Sequence, residues 1–402
     1  MKHSRLAAAT FLVLVTALWP HPSPAATRIS AKTIAKLDFP TGMRFTPSGD
    51  RLFVNERGGR IRIIKRGKLL SRPFATLRTT TGAESGLLGL ALHPRFEHGK
   101  PWVYVFFTRA DGATDRVMRL VANGDVAVRR SIIFDDMPAG GYHHGGIVAF
   151  GPDGKLYVSN GEAHSSDRAQ NPRVLGGKIY RLNDDGSIPS DNPFPGEPTF
   201  AYGIRNPFGL AFDPQSGNLW ETENGPNNHD EINLIERGKN YGWPVVRGRA
   251  GNSRFVDPVR DYRDIIVPTM AAFGGDALAP AFRGNFFFGT YASQVIHRLV
   301  LSDDRKSVRR DLILFNAGDG VVGMTMGPDG LYFTTPSKVV RLTALPAPTS
   351  SVTGSPSPAA TSTQSAPKKD ESSSTPVYVL VGIIAAALGG TIALLVYRAR
   401  RS

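Results

Sequence analysis

Gly151-Pro152-Asp153-Gly154-Lys155-Leu156-Tyr157-Val158 couples a tight turn to a short β-rich run. Proline presets the turn, glycine relieves it, and the Leu, Tyr and Val that follow favour a short strand. The same device recurs on both sides. Thr46-Pro47-Ser48-Gly49-Asp50 precedes Arg51-Leu52-Phe53-Val54, and His93-Pro94 opens a loop before Trp102 to Phe107. Asp213-Pro214-Gln215-Ser216-Gly217 precedes Asn218-Leu219-Trp220, and Gly327-Pro328-Asp329-Gly330 precedes Leu331-Tyr332-Phe333. The prolines are separated by 47, 58, 62 and 114 residues, and Phe282-Arg283-Gly284-Asn285 before Phe286-Phe287-Phe288-Gly289 divides the longest step. Six units of this length, each with several short strands, predict an all-β, six-bladed β-propeller. Function in such a fold is expected on loops at one end of a central channel, where many blades contribute residues.

The flanks read differently. Lys2, Arg5, the apolar Leu6 to Leu18 and the small residues Ser23-Pro24-Ala25 have the order of a signal peptide, assigned to residues 1–26. The propeller is assigned to residues 27–345. Residues 346–376, almost all Pro, Ser, Thr, Ala and Gly, read as a disordered stalk. Residues 377–397 carry no charge and, at about 1.5 Å per residue, span about 30 Å, enough for a single transmembrane helix. Arg398, Arg400 and Arg401 in the 398–402 tail put that end in the cytoplasm and the propeller outside the cell. With no cysteine, the exported domain must rest on its core alone.

Net charge is +14, but seven basic and two acidic residues lie outside 28–345; 41 basic against 32 acidic residues leave the domain at +9. This suits anionic polymers or an anionic cofactor. No RNP, zinc-finger or helix-turn-helix pattern accompanies the charge, which argues against nucleic acid.

Several segments share an order and spacing. Gly86-Leu87-Leu88-Gly89-Leu90-Ala91-Leu92-His93-Pro94 is followed by His143-His144-Gly145-Gly146 and by Tyr202-Gly203-Ile204-Arg205-Asn206-Pro207-Phe208-Gly209-Leu210. Glu223-Asn224-Gly225-Pro226-Asn227-Asn228-His229-Asp230-Glu231-Ile232-Asn233-Leu234 and Asn240-Tyr241-Gly242-Trp243-Pro244 come next. Across nearly all of residues 39–342 the chain resembles the soluble PQQ-dependent aldose (glucose/sorbosone) dehydrogenases.

The resemblance implies roles. His143 matches the family's base, which takes the hydroxyl proton as hydride leaves the anomeric carbon; an imidazole ionises near neutrality and suits the task. Glu162 matches the acid that orients it. Arg205 and Asn206 match the segment at the quinone, where a guanidinium offsets developing negative charge. Glu84, Asn224 and Thr269 are expected beside the cofactor as well. The carbonyls of Gly225 and Pro226, supported by Asp230, are expected to hold calcium.

The chain departs from the family at three places. Glu84 stands where the family has glutamine, and no lysine occurs near Tyr291 to Ser293. No arginine occurs around Gly320 and Val322. Each lost charge-assisted bond to a cofactor carboxylate costs about 1.5–3 kcal/mol. The expected function is extracytoplasmic oxidation of an aldose to its lactone with PQQ and calcium, with an external electron acceptor that the sequence does not identify. The alternative is a non-catalytic, membrane-tethered propeller binding a carbohydrate or protein partner, as the hedgehog-interacting protein in the same family shows.

Overall fold

The computed structural model describes residues 28–345. The signal-peptide, stalk, transmembrane and tail assignments fall outside them, and no helix among the described residues is long and apolar enough to cross a membrane. The described chain forms six antiparallel sheets in sequence order, as the turn spacing predicts.

Blade 1 holds Pro40–Phe45, Arg51–Glu56, Arg60–Lys65 and Lys68–Leu69, with Ala75–Thr76 pairing Arg60–Lys65. Blade 2 runs from Leu87–Leu92 outward through Trp102–Thr108 and Thr114–Asn123 to Val126–Pro138. Blade 3 holds Gly145–Phe150, Leu156–Asn160, Lys178–Leu182 and Thr199–Tyr202. Blade 4 holds Pro207–Phe212, Leu219–Glu223, Asp230–Ile235 and Arg260–Tyr262; blade 5 holds Pro268–Phe273, Phe286–Thr290, Val295–Leu301 and Val308–Asn316. In blade 6, Met324–Gly327, Gly330–Thr335 and Lys338–Ala344 are completed by the first strand, Ile29–Lys36, which pairs antiparallel from Ile29 opposite Ala344 to Lys36 opposite Lys338. The N-terminal strand thereby closes the ring.

Each proline turn joins the inner strand of a blade to its second strand. In blade 3, Asp153 of the turn accepts from Tyr157 Oη at 3.1 Å and from Arg181 Nε at 2.9 Å, and Tyr157 and Arg181 are cross-strand partners. Blade 6 repeats the clamp with Asp329, Tyr332 and Arg341. The turn aspartate therefore fixes the start of two strands as well as the turn itself.

Apolar layers between blades supply the core. Tyr104, Phe106, Val148 and Tyr180 fill the space between blades 2 and 3, and Trp220, Phe273, Phe286 and Phe288 that between blades 4 and 5; most are wholly buried. At about 25 cal/mol per Å² of apolar surface, such layers offset chain entropy without a disulfide.

Candidate active site

All six inner strands run in the same sense, so their first residues gather at one end of the channel. Inner strands of blades 1 to 5 each carry a register irregularity near that end, for example between Gly145 and Val148 and between Pro207 and Gly209. Bulges of this kind re-aim side chains and are common beside functional sites.

His143 immediately precedes the inner strand of blade 3, with φ of +60°. A non-glycine residue seldom adopts this conformation unless its surroundings enforce it. Here the enforcement is visible. The amide of His143 donates to Glu84 Oε2 at 2.7 Å, and Nδ1 lies 2.5 Å from Glu162 Oε1. Gly161, beside Glu162, has no room for a side chain: a Cβ would stand 2.0 Å from the His143 carbonyl. On its other side, His143 Nε2 accepts from Arg205 Nη2 at 2.8 Å. Arginine can only donate, so Nε2 bears the lone pair and Nδ1–H points at Glu162. His143 is buried, while His164 stacks on its outer face with ring centroids 4.3 Å apart.

The adjacent His144 does something else. Its ring is wholly buried, with Nδ1 2.8 Å from Asp115 Oδ2 and Nε2 3.2 Å from Ser85 Oγ. Burial opposes its charge, but Asp115, together with Glu84 and the Gly141 backbone, raises its pKa above the ordinary histidine value. It ties the His143 loop to blade 2.

Arg205 and Asn206 precede the inner strand of blade 4. Glu223 Oε1 accepts from both of their amides, at 2.9 and 2.6 Å. Asn206 Oδ1 accepts from the Gly145 amide at 3.1 Å, and Nδ2 donates to Glu84 Oε2 at 3.2 Å. Glu84 thus joins the His143 and Asn206 loops. Burial lowers the pKa of Arg205, against the attraction of Glu223, Glu162, Glu84 and Asp230.

The proposed calcium turn is organised differently from the sequence expectation. Arg205 Nη1 donates to the carbonyls of Asn224 at 2.7 Å and Gly225 at 3.0 Å. Both oxygens of Asp230 are occupied by amides: Gly225 at Oδ1, and Ile266 and Val267 at Oδ2, all at 2.8 Å. Asp230 holds this turn against blade 5, and Pro226 lines a narrow crevice beside it. Among the described residues no group of three or more His, Cys, Asp or Glu side chains is placed to hold a metal. The Gly225 and Pro226 carbonyls each keep a lone pair, and the buried Asn224 Oδ1 next in the chain has no protein partner, so hard oxygens of the kind calcium takes remain at this turn.

Beside His143 lies a cavity of about 400 Å³ to which all six blades contribute. Leu88, Ile147, Phe208, Met270 and Val322 give it apolar walls; Thr269, Tyr142 and Tyr291 add polar edges, and Glu84 and Arg57 are its charged residues. Thr269 is turned away, its hydroxyl donating to Val321 at 2.9 Å, and Asn224 Nδ2 is spent on the Pro268 carbonyl at 3.0 Å. His143 and Arg205 flank the cavity instead of lining it. Tyr291 and Val322 lie in its lining, where the missing family cations were expected. Arg57 was not expected: its guanidinium lies 4.1 Å from the Phe39 ring and donates to Ala83 O at 3.1 Å. Its path depends on Gly86, where a Cβ would come within 2.4 Å of Arg57 Cγ.

Behind Arg205 lies a set of buried acids that the sequence reading did not single out. Glu223 and Glu231 are cross-strand partners, and Glu221 faces Asn233. Burial pushes Glu223 up to about 8, Glu231 up to about 7 and Glu221 well above the usual carboxylate range. Their alternation along two strands was the only available signal, and exposed acids share that pattern.

Comparison with known proteins agrees with the six-bladed fold. Residues 37–343 match the model of the glucose / sorbosone dehydrogenase family. An aldose sugar dehydrogenase of Escherichia coli is 31% identical over 348 residues, covering 80% of this chain and 92% of its own. A PQQ-bound aldose sugar dehydrogenase from Streptomyces coelicolor has a TM-score of 0.71 at 28% identity, over 79% of this chain and 99% of its own. An oxidoreductase of the glucose dehydrogenase type from Thermus thermophilus has a TM-score of 0.72 at 36% identity, over 78% and 100%. With its six blades and its His143 loop in this setting, the chain belongs to the glucose/sorbosone dehydrogenase family.

Proposed function

We propose that this protein oxidises an aldose at its anomeric carbon to the lactone with PQQ as cofactor. The observation that carries the reading is the His143 imidazole, held by Glu162 and Arg205 at the edge of a cavity built by six blades.

The cavity's size and lining suit PQQ. Its walls are largely apolar, Arg57 lines it as a cation where the family anchors are missing, and Arg205 stands at its flank. Arg57 would hold a carboxylate, and Arg205 would face the quinone oxygens. When bound, PQQ supplies the acceptor for the hydride released by the sugar carbon. The protein manages the proton. The sugar hydroxyl displaces Arg205 from His143 Nε2, and that nitrogen takes the proton. Glu162 keeps the ring in the required tautomer and offsets the charge it gains. Arg205, freed from Nε2, faces the negative charge that develops next to it.

Calcium would be held by the Gly225 and Pro226 carbonyls, and no step depends on it. The sequence of residues 346–401 supports a propeller tethered outside the membrane.

The full chain, titrated with PQQ, should show saturable absorbance changes and aldose-dependent dye reduction. Neither signal at high micromolar PQQ would refute the enzyme assignment and leave the anchored binder. Chelation separates the cofactors: loss of PQQ binding on removing calcium supports the metal, and unchanged binding removes it.

A further inference from the structure

A second cavity, of about 450 Å³, lies at the opposite end of the channel, where the proline turns gather. The register of the blades shows how it is made. The inner-strand residues paired with Phe53, Tyr104, Tyr157, Trp220, Phe287 and Tyr332 are Arg44, Ala91, Ala149, Ala211, Ala272 and Thr325. All six line the cavity. Five of these equivalent positions are small, and one carries the longest cationic side chain available. The next residue in each strand forms an apolar rim that includes Phe45, Phe150, Phe212 and Phe273.

Arg44 has no acidic partner among the described residues; its single hydrogen bond is from Nη1 to Thr325 Oγ1 at 3.3 Å. Burial lowers its pKa and nothing opposes that effect, yet a guanidinium stays charged in proteins. His93, the other ionisable side chain in the lining, is committed elsewhere: Nε2 lies 3.3 Å from Asp184 and Nδ1 accepts from the Arg95 amide. The fold gives no reason for a cation here. Alanine serves at four equivalent positions, so the ring of inner strands does not require a long side chain here. Four of its five N–H donors therefore remain for a ligand, in an open cavity with an apolar rim.

We infer that this distal chamber binds a small organic carboxylate, whose anionic group pairs with Arg44 and whose aromatic or aliphatic body packs against the phenylalanine rim. A bidentate guanidinium–carboxylate pair supplies the specificity. The apolar body displaces water from the walls. The site is separate from the His143 cavity and does not depend on the cofactor reading: Thr41 lines that cavity, Arg44 this one, about 10 Å further along the same strand.

Sodium benzoate, titrated into the full chain by calorimetry, should bind saturably with a sub-millimolar dissociation constant. Benzamide, which keeps the ring and loses the charge, should bind more than about tenfold more weakly. Arg44→Gln should weaken benzoate by at least about tenfold while PQQ binding and dye reduction stay within about twofold. Ala149→Leu fills the chamber and should block benzoate with Arg44 intact, which keeps the inference testable if Arg44→Gln fails to fold. No saturation below about 10 mM benzoate, or equal affinity in the wild type and Arg44→Gln, overturns it.

Discussion

The base role proposed for His143 depends on how its loop is held. Its φ of +60° is sustained because Glu84 holds its amide, Glu162 holds Nδ1 and His164 covers a ring face. A positive φ costs about 1–3 kcal/mol, so the loop keeps this shape only with those partners in place. His143 and Arg205 are 62 residues apart in the chain and meet only across two blades. Replacing the imidazole removes the proton acceptor and leaves the cavity walls untouched. His143→Ala should therefore lower turnover about 10²–10⁴-fold. PQQ affinity, read by absorbance titration, should stay within about threefold, since His143 does not line the cavity. Unchanged turnover would remove His143 from the base role.

At the scale of elements, the paired strands Leu219–Glu223 and Asp230–Ile235 carry the buried acids. Glu221 is wholly inaccessible, and burial is the main cause of its raised pKa, with Glu223 and Glu231 adding to it. A carboxyl whose folded pKa exceeds its unfolded value binds its proton more tightly when folded. Its contribution to stability is complete below about pH 4.3 and is lost as pH rises through the folded pKa. Glu221→Gln keeps the neutral hydrogen-bonding shape without the titration. Compared with the wild type, its melting temperature should be little changed near pH 4 and higher at pH 8 by a few degrees. A variant that melts lower at pH 8 would show that the charged form is the stabilising one. The turn clamps act at the same scale. Asp153 and Asp329 each bind a tyrosine and an arginine that face one another on the next two strands, which turns a local motif into a register mark.

For the whole molecule, ring closure by Ile29–Lys36 removes the sheet edge that Lys338–Ala344 would otherwise expose. It also brings both ends of the propeller to one blade, so a stalk after residue 345 leaves the ring undisturbed. That arrangement bears on the proposed tether. Brief protease treatment of intact cells should release a folded propeller still able to reduce dye, because the cut would fall in the Pro/Ser/Thr-rich 346–376 segment. Activity that stays with the cells, protected until they are lysed, would place the propeller inside.

The sequence by itself determined the number of blades, because each turn and its following strand are local and repeat as residue types: Pro, Asp and Gly, then Leu and Tyr. It also named the loops of the site, since His143, Glu162, Arg205 and Asn206 stand in motifs with fixed spacing. Only the tertiary structure decided what those residues touch. Arg205 spends its guanidinium on His143 and two carbonyls, Asp230 is consumed by three amides, and Arg57 enters the cavity from blade 1. Arg44 looked like one of many basic residues until its register placed it in a ring of alanines. Strand patterns are set by neighbours two residues away, whereas charge pairing depends on distances between blades. No local pattern in the chain records those distances.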